Sequence, residues 1–407
     1  MYTIIALTGQ KILPPNYGAP YEIFMRYSYW GRFRKVIALV WDTKPGKMQI
    51  THNFEIIAVK RSMLRKILEN ILIGGASVFG IRKNRVLTKE VFFFLHVGYR
   101  KILKKILEEH PNAVVVFESP GGAYSVIAEL EGCIKILRAH NVEVDYYNRF
   151  HSKPPLSKIG ERWVAHVEEV FLKKCDLIFS ITQEDMDRFD KYYGIPKKKM
   201  VWIPPAFPIE KIRLISSDEK SKIKNKMGLS GEKICVYMSG EGSKTKNWEV
   251  SNRLMNILPE KYPDITFIVM GNVCKILQVS NRNAKLMGVV DEQTKQNLLS
   301  IADMAINPPI VGAGVNTRIL EYMAYGLPVI TTPLGARGVP VQDGESAVIR
   351  DPKNFPDGIE FLLADGERAR TIGLNARKII EEHFSADVVA RRAIEAIDRV
   401  WLEKYGK

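Results

Sequence analysis

Short apolar runs alternate with longer amphipathic helical patterns along the whole chain, and few folds accept that rhythm. The runs over 2–7, 36–40, 54–59, 113–117, 134–138 and 177–180 lie in the first half. Those over 234–238, 266–270, 285–287, 304–306, 329–331 and 347–349 lie in the second. Most are apolar throughout, as a strand buried on both faces must be. Strands separated by helices imply parallel sheets covered by helices, an α/β architecture. At 407 residues the chain exceeds what one ordinary core holds, so two domains are expected. The cluster Pro204-Pro205-Ala206-Phe207-Pro208 can continue neither a helix nor a central strand. It places an N-terminal domain over 1–205, a linker over 206–230 and a C-terminal domain over 231–385. An amphipathic helix follows over 386–407. No internal repeat or low-complexity tract is visible.

Charge is unevenly distributed. The formal net charge is +15, of which residues 1–200 carry +12. An anionic partner is therefore expected for the first half alone. Cys133, Cys175, Cys235 and Cys274 form no C-x-x-C pair and sit in apolar surroundings, so buried reduced thiols are expected rather than disulfides or a metal site. The first residues lack the basic and long apolar regions of a signal peptide, and no apolar stretch approaches the roughly 20 residues of a spanning helix. The expectation is a cytoplasmic protein, peripheral at the inner face of the membrane.

The segment 302–338 carries the most chemistry. A strand runs into Gly312-Ala313-Gly314, and a helix is expected to start near Asn316. Glycines let a backbone approach a ligand closely, and a helix N-terminus offers unpaired N–H groups and partial positive charge. Such a turn cradles a diphosphate. Gly312, Gly314, Val315, Asn316 and Thr317 would line it. Arg318 sits in the first turn, where an anionic ligand would offset its unfavourable interaction with the helix dipole. Glu321, one turn deeper on the same face, can accept both hydroxyls of a ribose. A nicotinamide fingerprint begins similarly, but it needs a carboxylate about 20 residues further on, and residues 335–338 supply none.

The string Glu321-Tyr-Met-Ala-Tyr-Gly-Leu-Pro-Val-Ile-Thr-Thr, followed by Gly335, Gly338 and Asp343-Gly344, resembles the donor-site signature of family 4-like retaining glycosyltransferases, the glycosyl transferases group 1. The likeness extends from Ala302-Asp303 to Glu382-His383-Phe384-Ser385 and covers about the last 175 residues. It implies a GT-B fold: two facing Rossmann-like domains, the nucleotide sugar in the C-terminal one and the last helix crossing back to the N-domain. It also implies that Glu321 binds the donor ribose. The family's partner Glu, which contacts the donor sugar, would fall at Ala313.

A second small-residue turn, Ser239-Gly240-Glu-Gly242-Ser-Lys244-Thr-Lys246-Asn247, follows the first strand of the C-terminal domain and suits an anion. Gly240, Lys244 and Asn247 are expected to bind donor, and the resemblance assigns Lys246 to the diphosphate. Glu241 stands where the family has an Arg, leaving Lys244 or Arg318 to supply that charge. In the first half, His140-Asn141-Val142-Glu143 follows a strand, where open α/β sheets place their sites. The resemblance implies that His140 faces the donor sugar across the cleft. Acceptor-side candidates are Gly18, Gly121 and Gly122. Asp185-Met-Asp187 looks like a metal-binding Asp-x-Asp but sits where a helix should start. No metal or cofactor is expected; backbone N–H groups, Lys246 and Arg318 would stabilise the leaving diphosphate.

Residues 60–105 carry twelve Lys/Arg against Glu69 and Glu90, interleaved with apolar pairs. This pattern suits an anionic membrane surface, and hence a glycan or lipid-linked acceptor. Nucleic acid would also meet the charge, but no recognition motif accompanies it. The resulting expectation is a metal-independent hexosyltransferase acting with retention. The alternatives are a sugar-nucleotide epimerase, a catalytically silent sugar- or lipid-binding module and, disfavoured by the missing carboxylate, a nicotinamide oxidoreductase.

Overall fold

The computed structural model describes residues 2–8, 11–13, 19–42, 44–60, 97–119, 127, 130–151, 157–312 and 314–406. The described chain forms two compact α/β units. One holds residues 1–206 and 389–407, the other 207–388.

In the first unit the strands are β1 (Thr3–Leu7), β2 (Lys35–Asp42), β3 (Gly46–Thr51), β4 (Phe54–Lys60), β5 (Val114–Phe117), β6 (Ile134–Ala139), β7 (Leu177–Ser180) and β8 (Met200–Trp202). They form one sheet of order β3-β4-β2-β1-β5-β6-β7-β8. Every pairing is parallel except β3 with β4. The sequence pattern missed β3 because this edge strand is exposed at nearly every position. β8 was missed because it is only three residues long. β1, β5 and β7 are buried at every position, so helices must cover both faces. The helices are α1 (Ala19–Trp30), α2 (Val97–Glu109), α3 (Glu143–His151), α4 (Ser157–Lys174) and α5 (Gln183–Tyr193). The Thr182 hydroxyl caps α5 by accepting from the Asp185 N–H, and Gly194 ends it at φ +65°. Asp185 and Asp187 thus lie in the first turns of a capped helix, where carboxylates suit the dipole.

The second unit contains β9 (Lys233–Met238), β10 (Ile265–Met270), β11 (Ala284–Gly288), β12 (Met304–Asn307), β13 (Val329–Thr331) and β14 (Val348–Ile349). All are parallel, in the order β11-β10-β9-β12-β13-β14. That is the doubly wound 3-2-1-4-5-6 order, which reverses between β9 and β12. Its helices are α6 (Ser217–Lys226), α7 (Lys246–Lys261), α8 (Glu292–Ile301), α9 (Thr317–Ala324), the short α10 (Pro333–Ala336), α11 (Phe355–Leu363) and α12 (Gly366–Ile379). Side chains of Thr245, Asp291, Asn316 and Asp365 cap α7, α8, α9 and α12. The segments by which the chain enters and leaves this unit are tied together. Phe207 N donates to Phe384 O and Ala386 N to Phe207 O, each at 2.8 Å.

The last helix, α13 (Ala386–Tyr405), belongs from Val389 onward to the first unit. Its Asp398 accepts from the Tyr2 hydroxyl at 2.5 Å and from Arg34 Nη2 at 2.6 and 2.7 Å. Trp401 Nε1 donates to Asn112 O, and Lys404 Nζ to Cys133 O. Among the described residues, no helix is long and apolar enough to cross a membrane. Cys133, Cys175 and Cys235 are buried free thiols, and Cys274 is half-buried.

Candidate functional site

A cavity of about 420 Å³ opens at the carboxyl ends of β9 and β12, where the strand order reverses. Open α/β sheets offer ligands a crevice at this point, because neighbouring loops diverge there. Two Gly-rich turns far apart in sequence line it. One contributes Ser239 and Gly240 beyond β9; the other contributes Gly312, Gly314, Val315, Asn316, Thr317 and Arg318. Gly314 adopts φ +65°, the left-handed region a side chain disfavours, and so turns the loop into α9. Asn316 caps α9, its Oδ1 accepting from Arg318 N at 3.1 Å. The guanidinium of Arg318 lies over the opposite turn. A Cβ built on Gly240 would stand 3.5 Å from Arg318 Nη2.

The shape of the second turn is imposed by Asn247. Its Oδ1 accepts from Ile310 N and Val311 N, each at 2.9 Å, and its Nδ2 donates to Val311 O at 2.8 Å. Asn247 lines the cavity, but both ends of its amide are engaged by backbone. Its role in the structure is therefore to hold the cradle. Gly335 provides a second brace: a Cβ there would meet Thr331 Oγ1 at 2.2 Å and Asn307 Nδ2 at 2.7 Å. Thr332 Oγ1 accepts from Gly335 N at 3.0 Å and donates to Pro309 O. The buried hydroxyl of Tyr322 accepts from Met238 N at 2.6 Å, fixing the end of β9 against α9.

Among the described lining residues, Arg318 is the one cation and Glu241 the one carboxylate. Glu241 accepts from the Thr245 hydroxyl. Lys244 and Lys246 are exposed and do not line the cavity. Lys244 Nζ sits 5.0 Å from the centre of the Trp248 ring, and Lys246 begins α7. Glu321 also stands outside the lining, with its Oε1 2.7 Å from Lys295 Nζ. Burial opposes the Lys295 charge, but Glu321 and Glu292 hold its ammonium well above the ordinary range. Lys295 carries no signature in the sequence, because α8 and α9 meet only in the folded unit. Gly18, Gly121, Gly122, Ala313 and the basic stretch over 61–96 lie outside the described residues.

In the first unit, the sheet order reverses between β1 and β5. His140 follows β6, and Glu118 follows β5. They meet at 3.0 Å between His140 Nε2 and Glu118 Oε2. Glu118 escaped the sequence reading, although in sequence it directly precedes Ser119-Pro120-Gly121-Gly122. A lone carboxylate at a strand's carboxyl end was the available signal. The segment after His140 is held by the buried Glu168, whose Oε1 accepts from Glu143 N at 2.7 Å. Its Oε2 accepts from the Tyr193 hydroxyl at 2.6 Å.

Burial raises Glu168 to about 7, despite hydrogen bonds from Tyr193, Glu143 and Val144 that act the other way. A carboxyl raised on folding binds its proton more tightly in the native state than in the unfolded chain. Its contribution is full below the unfolded value and is lost as pH rises through about 7. Stability should therefore fall by about 3 kcal/mol between roughly pH 4 and pH 8 from this group. Urea unfolding of the wild type and Glu168→Gln across that range checks it. Substitution should flatten the profile, and parallel profiles would contradict the assignment.

The geometry is that of a two-unit α/β protein with a glycine-lined cavity in its second unit. Residues 219–379 match the family model of glycosyl transferases group 1. It is 24% identical over 411 residues to a Klebsiella pneumoniae protein described as an uncharacterized 44.6 kDa protein in the cps region, covering 96% of this chain and 98% of that one. Sucrose-phosphate synthase from Thermosynechococcus elongatus superposes with a TM-score of 0.74 at 14% identity, covering 99% of this chain and 100% of that one. HepE from Anabaena in complex with UDP-glucose superposes with a TM-score of 0.64 at 14% identity, covering 98% and 100%. The fold is thus GT-B.

Proposed function

We propose that this protein transfers a hexose from a nucleoside-diphosphate sugar to a glycan or lipid-linked acceptor, with retention and without a metal ion. One observation carries the reading. The α9 N-terminus and the turn after β9 converge on one cavity, with Arg318 spanning them. A helix N-terminus and a guanidinium at one cavity favour a diphosphate and stabilise it further as it leaves. Glu321, one turn along α9, takes the ribose hydroxyls after exchanging part of its contact with Lys295. In the mechanism proposed, the departing phosphate accepts the acceptor's proton, so no protein nucleophile takes part. His140 of the first unit contacts the sugar. The basic residues within 60–105 favour an acceptor at an anionic membrane surface, at the cytoplasmic face.

A second reading rests on Glu241. A carboxylate lining the cradle opposes a diphosphate, as a silent sugar-binding module could tolerate. Thermal shift with UDP, UDP-glucose and other nucleotide sugars, with and without EDTA, tests both. A stabilisation on the order of 5 °C at saturating ligand is expected, insensitive to EDTA and lost in Glu321→Ala. No shift with any nucleotide would defeat the donor reading. A shift without donor hydrolysis or transfer would favour the silent module.

A further inference from the structure

The Glu118–His140 contact belongs to a buried cluster at the carboxyl edge of the first sheet. Glu118 is 5% exposed. Its Oε1 accepts from Arg26 Nη1 at 2.9 Å and from the Tyr27 hydroxyl. Its Oε2 accepts from Arg26 Nη2 at 2.9 Å and lies 3.0 Å from His140 Nε2. Arg26 is pinned in turn by Glu22, which takes Nε at 2.9 Å and Nη2 at 2.8 Å. A guanidinium fork gripping both carboxylate oxygens leaves Glu118 little freedom to rotate. Burial opposes the Glu118 charge, but Arg26 and the hydrogen bond from His140 hold the carboxyl well below its usual range.

An ionised carboxylate can only accept. The hydrogen in the 3.0 Å contact must therefore sit on His140 Nε2, and in the neutral ring the lone pair then lies on Nδ1. Nδ1 has no hydrogen-bond partner among the described residues, and the side chain is 30% exposed. Two carboxylates, Glu22 and Glu118, face two guanidiniums, Arg26 and Arg138, so the cluster is balanced before the imidazole is counted. Arg138 is pushed down to about 10 by burial and by Arg26.

We propose that Glu118 is a positioning residue: it locks His140 as the Nε2–H tautomer and leaves Nδ1 to accept a hydrogen bond from a sugar hydroxyl. The substrate half of this inference rests on the proposed sugar-facing role of His140; the tautomer half rests on geometry alone. A bare Nδ1 receives an O–H and offers nothing to a phosphate or carboxylate oxygen. The residue therefore selects for a hydroxyl at that point on the substrate.

The test uses the full chain labelled with ¹⁵N-histidine, with tautomers read from long-range ¹H–¹⁵N correlations. His140→Gln identifies the His140 resonances by their loss. A protonated Nε2 and an unprotonated Nδ1 are expected; a protonated Nδ1 overturns the proposal. Glu118→Asp keeps a charge opposite Arg26 but withdraws the oxygens by one methylene. Its His140 ring should sample both tautomers, and an unchanged ring would overturn the role of Glu118. UDP release from UDP-glucose supplies the functional arm. Glu118→Asp should lower kcat about 10-fold with the donor KM unchanged, and should add nothing in a His140→Ala background. Additive losses would place Glu118 in folding alone and overturn the positioning role. Absence of any UDP release counts against the transferase reading, while the tautomer measurement still decides the geometric claim.

Discussion

Arg318→Ala is expected to weaken UDP binding by about 10- to 100-fold while leaving the unliganded protein as stable as before, or slightly more so. The first half of this expectation follows from charge. Among the described residues lining the cavity, Arg318 is the one cation, and no described carboxylate forms an ion pair with it. A hydrogen bond to a charged group contributes about 1.5–3 kcal/mol, and 1.4 kcal/mol is about tenfold in affinity. The second half follows from position. Arg318 is the second residue of α9, where a cation faces the positive end of the helix dipole. Removing it relieves that repulsion. Calorimetric titration with UDP alongside urea unfolding separates the two effects. Unchanged affinity would remove Arg318 from the phosphate site, and a matching loss of stability would make it a structural residue instead.

Gly271→Ala is expected to destabilise the second unit by about 3–5 kcal/mol and to abolish UDP binding. Gly271 directly follows β10 at φ +105°, which residues with a Cβ rarely adopt, at a cost of about 1–3 kcal/mol. The added carbon would also stand 2.2 Å from the Ser239 carbonyl oxygen. That neighbour is backbone, so no rotamer change can relieve the overlap, and overpacking costs a further 1–3 kcal/mol or so. Ser239 itself lines the cavity, so the displacement reaches the cradle. Gly312→Ala is the control. A Cβ there meets nothing within 4 Å, and the fold should tolerate it within about 0.5 kcal/mol. Equal urea midpoints for the two variants would refute the argument.

Gly271 shows where legibility from sequence stops. A glycine after an apolar run reads as a turn, but the carbonyl it must clear belongs to Ser239, in the turn just beyond β9. Asn247 was visible as a polar residue after a small-residue turn. Its capture of Ile310 N and Val311 N was not, because β12 comes alongside β9 only in the sheet. The exposed positions of Lys244 and Lys246 have the same origin: a lysine's sequence neighbourhood shows its charge, not the direction its helix start faces. Glu321 shares the limitation. Its spacing from Arg318 follows from helical geometry, but Lys295 reaches it from α8.

Local chain rules operate within a few residues, so the sequence alone determined what such rules govern. The buried strands are apolar because both faces are covered. α9 starts where Asn316 can cap it and Gly314 can turn the chain. The last helix runs from Ala386 to Tyr405 on one amphipathic pattern. Tertiary structure decided which strand ends became neighbours. Parallel crossovers bring β9 beside β12 and β5 beside β6, and only then do Gly240 and Arg318, or Glu118 and His140, come within reach of one another. Such contacts depend on sheet order, which is set by the burial of whole faces and not by any short run of residues.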